Sequence, residues 1–361
     1  MSKISSKKWI VLTFVFVLIL LSISSIIVMW IDPFFHFHKP HTEEFLYSLD
    51  NERSQNNGII KHFDYDALIT GSSMTQNTKA SQVDSLFDVN SIKVPFSGGS
   101  FKEIDDNIKL SIEKNPNLKM VIRALDENYY FQDKDHMRDD IGEYPTYLYN
   151  SNPFDDVKYI WNKDILLGRC FQMMLNKRNG VEPGTTDFDS YMNWMEANKD
   201  NFKPEIVLSD RVSFDSSVQD SLTDEEKYTI TQNIEQNVIK TAKENPNIRF
   251  IYYIPPYSLA WWGDKMENSQ LDKFLSAERL VFDLILSCEN IELYAFNDRT
   301  KIISNLSNYK DPIHYADWIT DKILEDISQG KGRITGSNKE EYLRKQELFL
   351  KNFDYNSLFN Q

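Results

Sequence analysis

Two short stretches hold residue types that could do chemistry together: ALITGSSMTQN, Ala67 to Asn77, and YKDPIHYAD, Tyr309 to Asp317. In the first, an apolar run ending at Thr70 breaks into Gly71, Ser72 and Ser73. A serine at the carboxyl end of a strand becomes a nucleophile only when a histidine takes its proton and a carboxylate orients that histidine. The chain has six histidines. His36, His38 and His41 follow an apolar N-terminal segment, His62 precedes the first strand at the wrong end of a sheet, and His136 sits in the acidic run DKDHMRDD. That leaves His314, just before the last amphipathic helix, with Asp311 three residues earlier. Pro312 stiffens the link, so Asp311 can turn back to hold the imidazole while His314 faces a serine. A plain turn and a polar loop with a histidine at a helix start have the same short patterns.

The elements that must position these residues read as an α/β domain. EKNPNLKMVIRALD (Glu113 to Asp126) and KENPNIRFIYYIPP (Lys243 to Pro256) echo each other, with an Asn-Pro-Asn hinge and then an apolar strand. A helical pattern precedes each: Ile104, Ile108 and Ile112 in one case, Ile230, Ile234, Val238 and Ala242 in the other. Ser100 with Glu103, and Thr223 with Glu226, have the spacing of capping boxes. Ala67 to Thr70, Ser91 to Val94 and Ile291 to Phe296 complete five strands separated by helices, hence a three-layer, mostly parallel sheet. Ala316 to Ser328 is the final helix of that domain. Residues 129–222 are rich in aromatic residues, Asp and Asn, and read as an insertion packed over one end of the sheet. The resulting division is a stub and anchor at 1–31, a membrane-proximal linker at 32–60, an α/β domain at 61–337, and a helical tail at 338–361.

Trp9 to Ile31 has no charged residue and is long enough as a helix to cross a hydrocarbon core of about 30 Å. Lys3, Lys7 and Lys8 precede it, while Asp32, Glu43 and Glu44 follow, which orients the N-terminus toward the cytoplasm. A cleaved signal peptide fits less well, because the run exceeds an h-region and no A-x-A site closes it. The 40 basic and 54 acidic residues give a formal charge of −14, which argues against a nucleic-acid partner and favours a neutral glycan over a polyanion. Cys170 and Cys288 read as two buried thiols or one bridge. In DPFFHFHKPH the histidines lack a carboxylate or cysteine at metal-site spacing, so an aromatic belt at the membrane surface accounts for them. No metal or organic cofactor is expected.

The block order, G-S-S after the first strand, a glycine-rich loop after the second and D-x-x-H before the last helix, resembles the SGNH (GDSL-type) hydrolase superfamily. The anchor, GSS in place of GDS, and the middle insertion look more like its cell-envelope branch, which includes the DltD proteins and the AlgX/AlgJ-type acetyltransferases. The resemblance spans roughly residues 60 to 330 and implies Ser73, rather than Ser72, as nucleophile, with Asp311 and His314 as its partners. Acyl transfer also needs oxyanion donors. The Ser73 N–H would supply one, and Gly98 or Gly99 in PFSGGS a second. The superfamily's G-x-N-D block is absent. Asp126-Glu127-Asn128 stands there instead, so Asn128 is the amide candidate at a non-standard offset, and Asp126 would repel an oxyanion unless Arg123 or another cation neutralised it. In YIPPYS, with Trp261 and Trp262, an aromatic wall for a sugar or ordinary loop packing are the two readings.

The function expected on this basis is a membrane-anchored, extracytoplasmic serine esterase or O-acyltransferase acting on a cell-surface polysaccharide, beside a multi-pass membrane acyltransferase as the resemblance implies. The rival is a catalytically idle domain of the same fold that binds polymer or scaffolds an envelope complex.

Overall fold

A computed structural model describes residues 5–138, 144–209, 211–215 and 217–360. Lys3, Asp139 and Asp140, used in the sequence reading above, lie outside the described residues. The chain divides into two compact units, Met1–Phe63 with Glu143–Asp187, and Asp64–Gly142 with Phe188–Gln361.

In the first unit, helix α1 spans Ser6–Ile31, with the Ser5 side chain accepting the Lys8 N–H at its start. It stops at Asp32, whose left-handed backbone (φ 48°) turns the chain away. Among the described residues this helix alone is long and apolar enough to cross a membrane, with a mean hydropathy of 2.9. Residues after it are structured. Helix α2, Glu52–His62, is capped by Asn51, and Leu46–Tyr47 pairs in parallel with Gly184–Thr185. Three helical stretches, Val157–Ile160, Asp164–Cys170 and Phe171–Arg178, belong to the same unit. The segment read as one insertion, 129–222, is therefore shared between two units. His36 Nε2 lies 2.9 Å from Asp156 Oδ1, and both ring nitrogens of His38 face backbone carbonyls. Among the described residues no group of three or more His, Cys, Asp or Glu is arranged to hold a metal.

The second unit is built on a six-stranded sheet: β1 Ala67–Gly71, β2 Ser91–Pro95, β3 Met120–Ala124, β4 Arg249–Ile254, β5 Ile291–Ala295 and β6 Arg333–Ile334. The spatial order is β2-β1-β3-β4-β5-β6, parallel except for the last pair. Five strands were expected. The sixth has only two residues in the polar stretch GKGRITG, too short for any alternation to show. The five parallel strands are buried nearly throughout, which explains their continuous apolar character.

Alternation along these strands divides two cores. Ile69, Ile122, Ile251 and Tyr253 pack with Leu259 and Trp262 of α6 (Leu259–Glu267) and with Ile319 and Ile323 of α8 (Asp317–Ser328). Arg123, of opposite parity in β3, points to the other face. There it donates to the carbonyls of Phe101, which opens α4 (Phe101–Lys114), and of Asn237, in the turn that continues α5 (Asp224–Ile234). Helix α3 is Ala80–Phe87, α7 is Leu271–Ile285 and α9 is Lys339–Asn352. The Thr223–Glu226 capping box is complete, whereas at Ser100 the hydroxyl accepts the Glu103 N–H at 3.1 Å.

Candidate active site

The connection from β1 goes to β2 on one side, and the chain then returns to β3 on the other. This makes the carboxyl end of β1 a topological switch point, where open α/β sheets hold ligands. Ser72 and Ser73 lie there. Gly71 has φ +150°, and a Cβ on it would lie 2.7 Å from Thr75 Cγ2, so the tight exit from the strand requires glycine. Ser73–Thr75 then forms one 3₁₀ turn capped by Ser72. Lys93, fully buried on β2, donates to the carbonyls of Gln76 and Thr78 and so anchors the chain leaving that turn.

The two stretches singled out above meet. Ser73 Oγ is 2.7 Å from His314 Nε2, and His314 Nδ1 is 2.7 Å from Asp311 Oδ2 and 2.9 Å from Oδ1. With a carboxylate against Nδ1, the proton belongs there, leaving Nε2 to accept from the serine hydroxyl. Burial alone would raise the Asp311 pKa. The hydrogen bond and charge of His314, together with the N–H groups of Ile313 and His314, outweigh it and hold the carboxyl well below its usual range.

The histidine loop is braced from several sides. Tyr309 and Tyr315 pair across it, and Lys310 N–H donates to the His314 carbonyl. Ser258, which caps α6, donates its hydroxyl to the Pro312 carbonyl at 2.6 Å, while Tyr309 OH donates to the Pro256 carbonyl at 2.8 Å. YIPPYS is thus a clamp on the triad loop. Trp262 is fully buried as packing, whereas Trp261, also buried, lines a cavity beside Pro312.

Asp126, which would repel an oxyanion unless Arg123 or another cation neutralised it, is held chiefly by two hydroxyls. It accepts hydrogen bonds from Ser72 Oγ and Tyr257 OH, both at 2.7 Å, while the Arg123 guanidinium lies on the far face of the sheet. Burial raises its pKa, against the opposing effect of those two hydroxyls. Ser72 is therefore a structural link between β1 and β3, and Ser73 alone faces the histidine.

The oxyanion candidates separate. Phe96 N–H donates to the Gly71 carbonyl at 2.9 Å, so PFSGGS begins beside the nucleophile turn. The Gly99 N–H is taken by the Phe96 carbonyl at 2.8 Å, which removes Gly99 as a donor. Gly98 has φ +58°, and its missing Cβ makes room for the Arg138 guanidinium, which donates to the Ser97 carbonyl. Asn128 Oδ1 accepts the Trp261 indole N–H at 3.1 Å. Its side chain lines a cavity of about 510 Å³ with Phe131, Lys265 and Phe274, to which no triad residue contributes.

The sequence reading missed Trp194 and Lys310. Trp194 meets the His314 ring edge-on, with centroids 5.7 Å apart, and its indole N–H reaches the Ser73 carbonyl at 3.5 Å. Lys310 Nζ lies 3.1 Å from Asp311 Oδ2 and 4.8 Å from the Trp194 ring centre. Lys310 could have been noticed as the neighbour of Asp311; Trp194 comes from a segment without periodicity. A second cavity, of about 620 Å³, is lined by Pro312 of the triad loop together with Leu208, Arg211, Trp261 and Asp264.

No known family model matches the chain, and no curated protein matches it.

Proposed function

We propose that this chain is a membrane-anchored serine esterase or O-acyltransferase of the SGNH type, acting on a cell-surface polysaccharide or related polymer. The observation that carries this reading is the continuous hydrogen-bonded relay from Ser73 through His314 to Asp311, made from two stretches about 240 residues apart in sequence. Such a relay has a specific use. Ser73 Oγ attacks the carbonyl carbon of an ester or thioester while its proton passes to His314 Nε2. The tetrahedral oxyanion collapses, the alcohol or thiol leaves with that proton, and an acyl-Ser73 remains. A sugar hydroxyl or water, deprotonated by His314, then takes the acyl group and restores the serine. The N–H groups of Ser73 and Gly98 are the donors considered for the oxyanion. Those of Met74, Thr75, Gln76 and Gly99 are already engaged in the turns.

The uncharged run Trp9–Ile31 of α1, with Lys7 and Lys8 at the start of the helix and Glu43 and Glu44 after it, supports a single-pass anchor with the catalytic unit outside the cytoplasm. Tethering there raises the effective concentration of a substrate made at the membrane. A multi-pass membrane acyltransferase as acyl supplier belongs to this proposal. The test is turnover of p-nitrophenyl acetate by the full chain in detergent micelles, with and without an oligosaccharide acceptor, beside Ser73→Ala. Release of nitrophenol lost in the variant supports the reading. Equal release by both proteins would remove it.

A further inference from the structure

Beside α1 lies a helical segment whose composition departs from the rest of the chain. Phe154–Arg178 has five basic residues, Lys158, Lys163, Arg169, Lys177 and Arg178, against three acidic, Asp155, Asp156 and Asp164, in a protein of net charge −14. It is amphipathic. Tyr159, Ile165, Cys170 and Met173 are buried in the unit, whereas Trp161, Leu167 and Phe171 are 54%, 63% and 50% exposed, and Phe154 at its start is 86% exposed. Large apolar residues exposed on one helical segment are a feature that soluble surfaces avoid.

This segment is held against the anchor. Trp161 Nε1 donates to Ser25 Oγ of α1 at 2.8 Å. Tyr159 OH donates to Asp32 Oδ1 at 2.8 Å and accepts the Phe34 N–H at 3.1 Å. Arg169 pairs with both oxygens of Asp50, and Lys177 with Glu44. Helix α1 has 26 residues, about 39 Å at 1.5 Å per residue, which exceeds a hydrocarbon core of about 30 Å. With Lys7 and Lys8 in the inner headgroups, a core of about 30 Å counted from Trp9 takes about 20 residues, to about Val28, so Ser25 lies about 5 Å inside the outer boundary. Trp161 is placed at the depth where indoles collect in membranes.

We infer that Phe154–Arg178 is a second membrane-contacting surface: its exposed aromatic and leucine side chains enter the outer edge of the bilayer that α1 crosses, and the exposed Lys163 and Arg178 meet anionic phospholipid headgroups. The occupant is the lipid adjoining α1, because half-exposed Trp161 is bonded to Ser25 of that helix, whose Ile26, Met29 and Trp30 are also exposed. A basic amphipathic helix with Trp, Leu and Phe on its apolar side is the composition that binds in the plane of an interface. With two attachments rather than one, the unit that carries α1 would be fixed in tilt at the surface instead of swinging on a single helix.

The inference rests on α1 spanning the membrane, so the test reads both. The full chain is reconstituted into nanodiscs of phosphatidylglycerol and phosphatidylcholine, with an NBD probe on single introduced cysteines, Leu167→Cys, Phe154→Cys or, as the anchor control, Leu18→Cys. Cys170 and Cys288 are buried and stay in place. Each probe is quenched by doxyl-labelled lipid or by aqueous iodide. The inference expects loss of fluorescence to doxyl lipid, and protection from iodide, at 154, 167 and 18 alike. Doxyl quenching at 18 with iodide quenching at 154 and 167 would overturn it while leaving the anchor standing. Iodide quenching at all three would remove both. Protection from both quenchers at 167 would overturn it in favour of a second copy of the chain. Equal doxyl quenching at 167 in pure phosphatidylcholine would overturn the headgroup part.

Discussion

Replacing Asp311 with Asn probes the relay with little disturbance of the loop. Asp311 Oδ1 accepts the N–H groups of Ile313 at 3.0 Å and His314 at 2.9 Å, and the amide oxygen of Asn can keep both. The amide nitrogen then occupies the Oδ2 position, 2.7 Å from His314 Nδ1, and points a donor at it. The imidazole must turn its lone pair to Nδ1 and carry its proton on Nε2, where it can no longer accept from Ser73. In serine proteases the equivalent change of tautomer slows acylation by about 10⁴, or about 5.5 kcal/mol. The same factor is expected here in the second-order rate of labelling by a fluorophosphonate. The Lys310 contact with Oδ2, at 3.1 Å and partly solvated, contributes at most about 1 kcal/mol, so the melting temperature should move by only a few degrees. An Asn variant that folds and labels within about tenfold of the parent, about 1.4 kcal/mol, would refute the idea that Asp311 sets the tautomer.

Three further outcomes follow from the geometry. Tyr257→Phe removes a hydroxyl from buried Asp126 Oδ1 and should cost about 1–3 kcal/mol, read as a lower urea midpoint at unchanged slope; an unchanged midpoint would contradict the link. Gly71→Ala should cost about 1–3 kcal/mol through its clash with the Thr75 methyl and its backbone strain, and Thr75→Ser, which removes only that methyl, should recover part of it in the double variant. Burial pushes the Glu278 carboxyl up to about 7, against the opposing effect of the nearby Gln346 and Asn297 amides, and burial raises Glu127 in the same way. A raised carboxyl favours the protonated fold, so its stabilisation is full below the unfolded pKa near 4.3 and is lost as pH rises toward 7. Glu278→Gln should therefore flatten the pH dependence of thermal unfolding over that range and melt above the parent at pH 8.

Much of the sheet and the central site residues were legible because their signals are local. The apolar runs at Ala67, Ser91, Met120, Arg249 and Ile291 sit between turn residues, and each became a strand within a residue or two. His314 and Asp311 stood out because so few histidines occupy the carboxyl ends of strands, while the choice of Ser73 over Ser72 came from the resemblance. What was not legible depends on tertiary contact. Asp126 looked like a charge in need of a cation, yet two hydroxyls from separate elements hold it, one from Ser72 and one from Tyr257. The Gly99 N–H looked available, but the turn that glycine permits consumes it. Trp194 lies in a stretch of short helices and turns whose aromatic residues carry no period, so its place against His314 follows only from the fold. The attachment of 157–178 to α1 rests on side-chain pairs distant in sequence, such as Trp161 with Ser25, which no local pattern announces.

The most direct test of the central claim is to treat the full chain with a fluorophosphonate and locate the adduct by peptide mass spectrometry, beside Ser73→Ala, Ser72→Ala and His314→Ala. The account predicts one adduct per chain on Ser73, retained in Ser72→Ala and abolished by the other two substitutions. No adduct in a folded parent, or an adduct on Ser72, would contradict it.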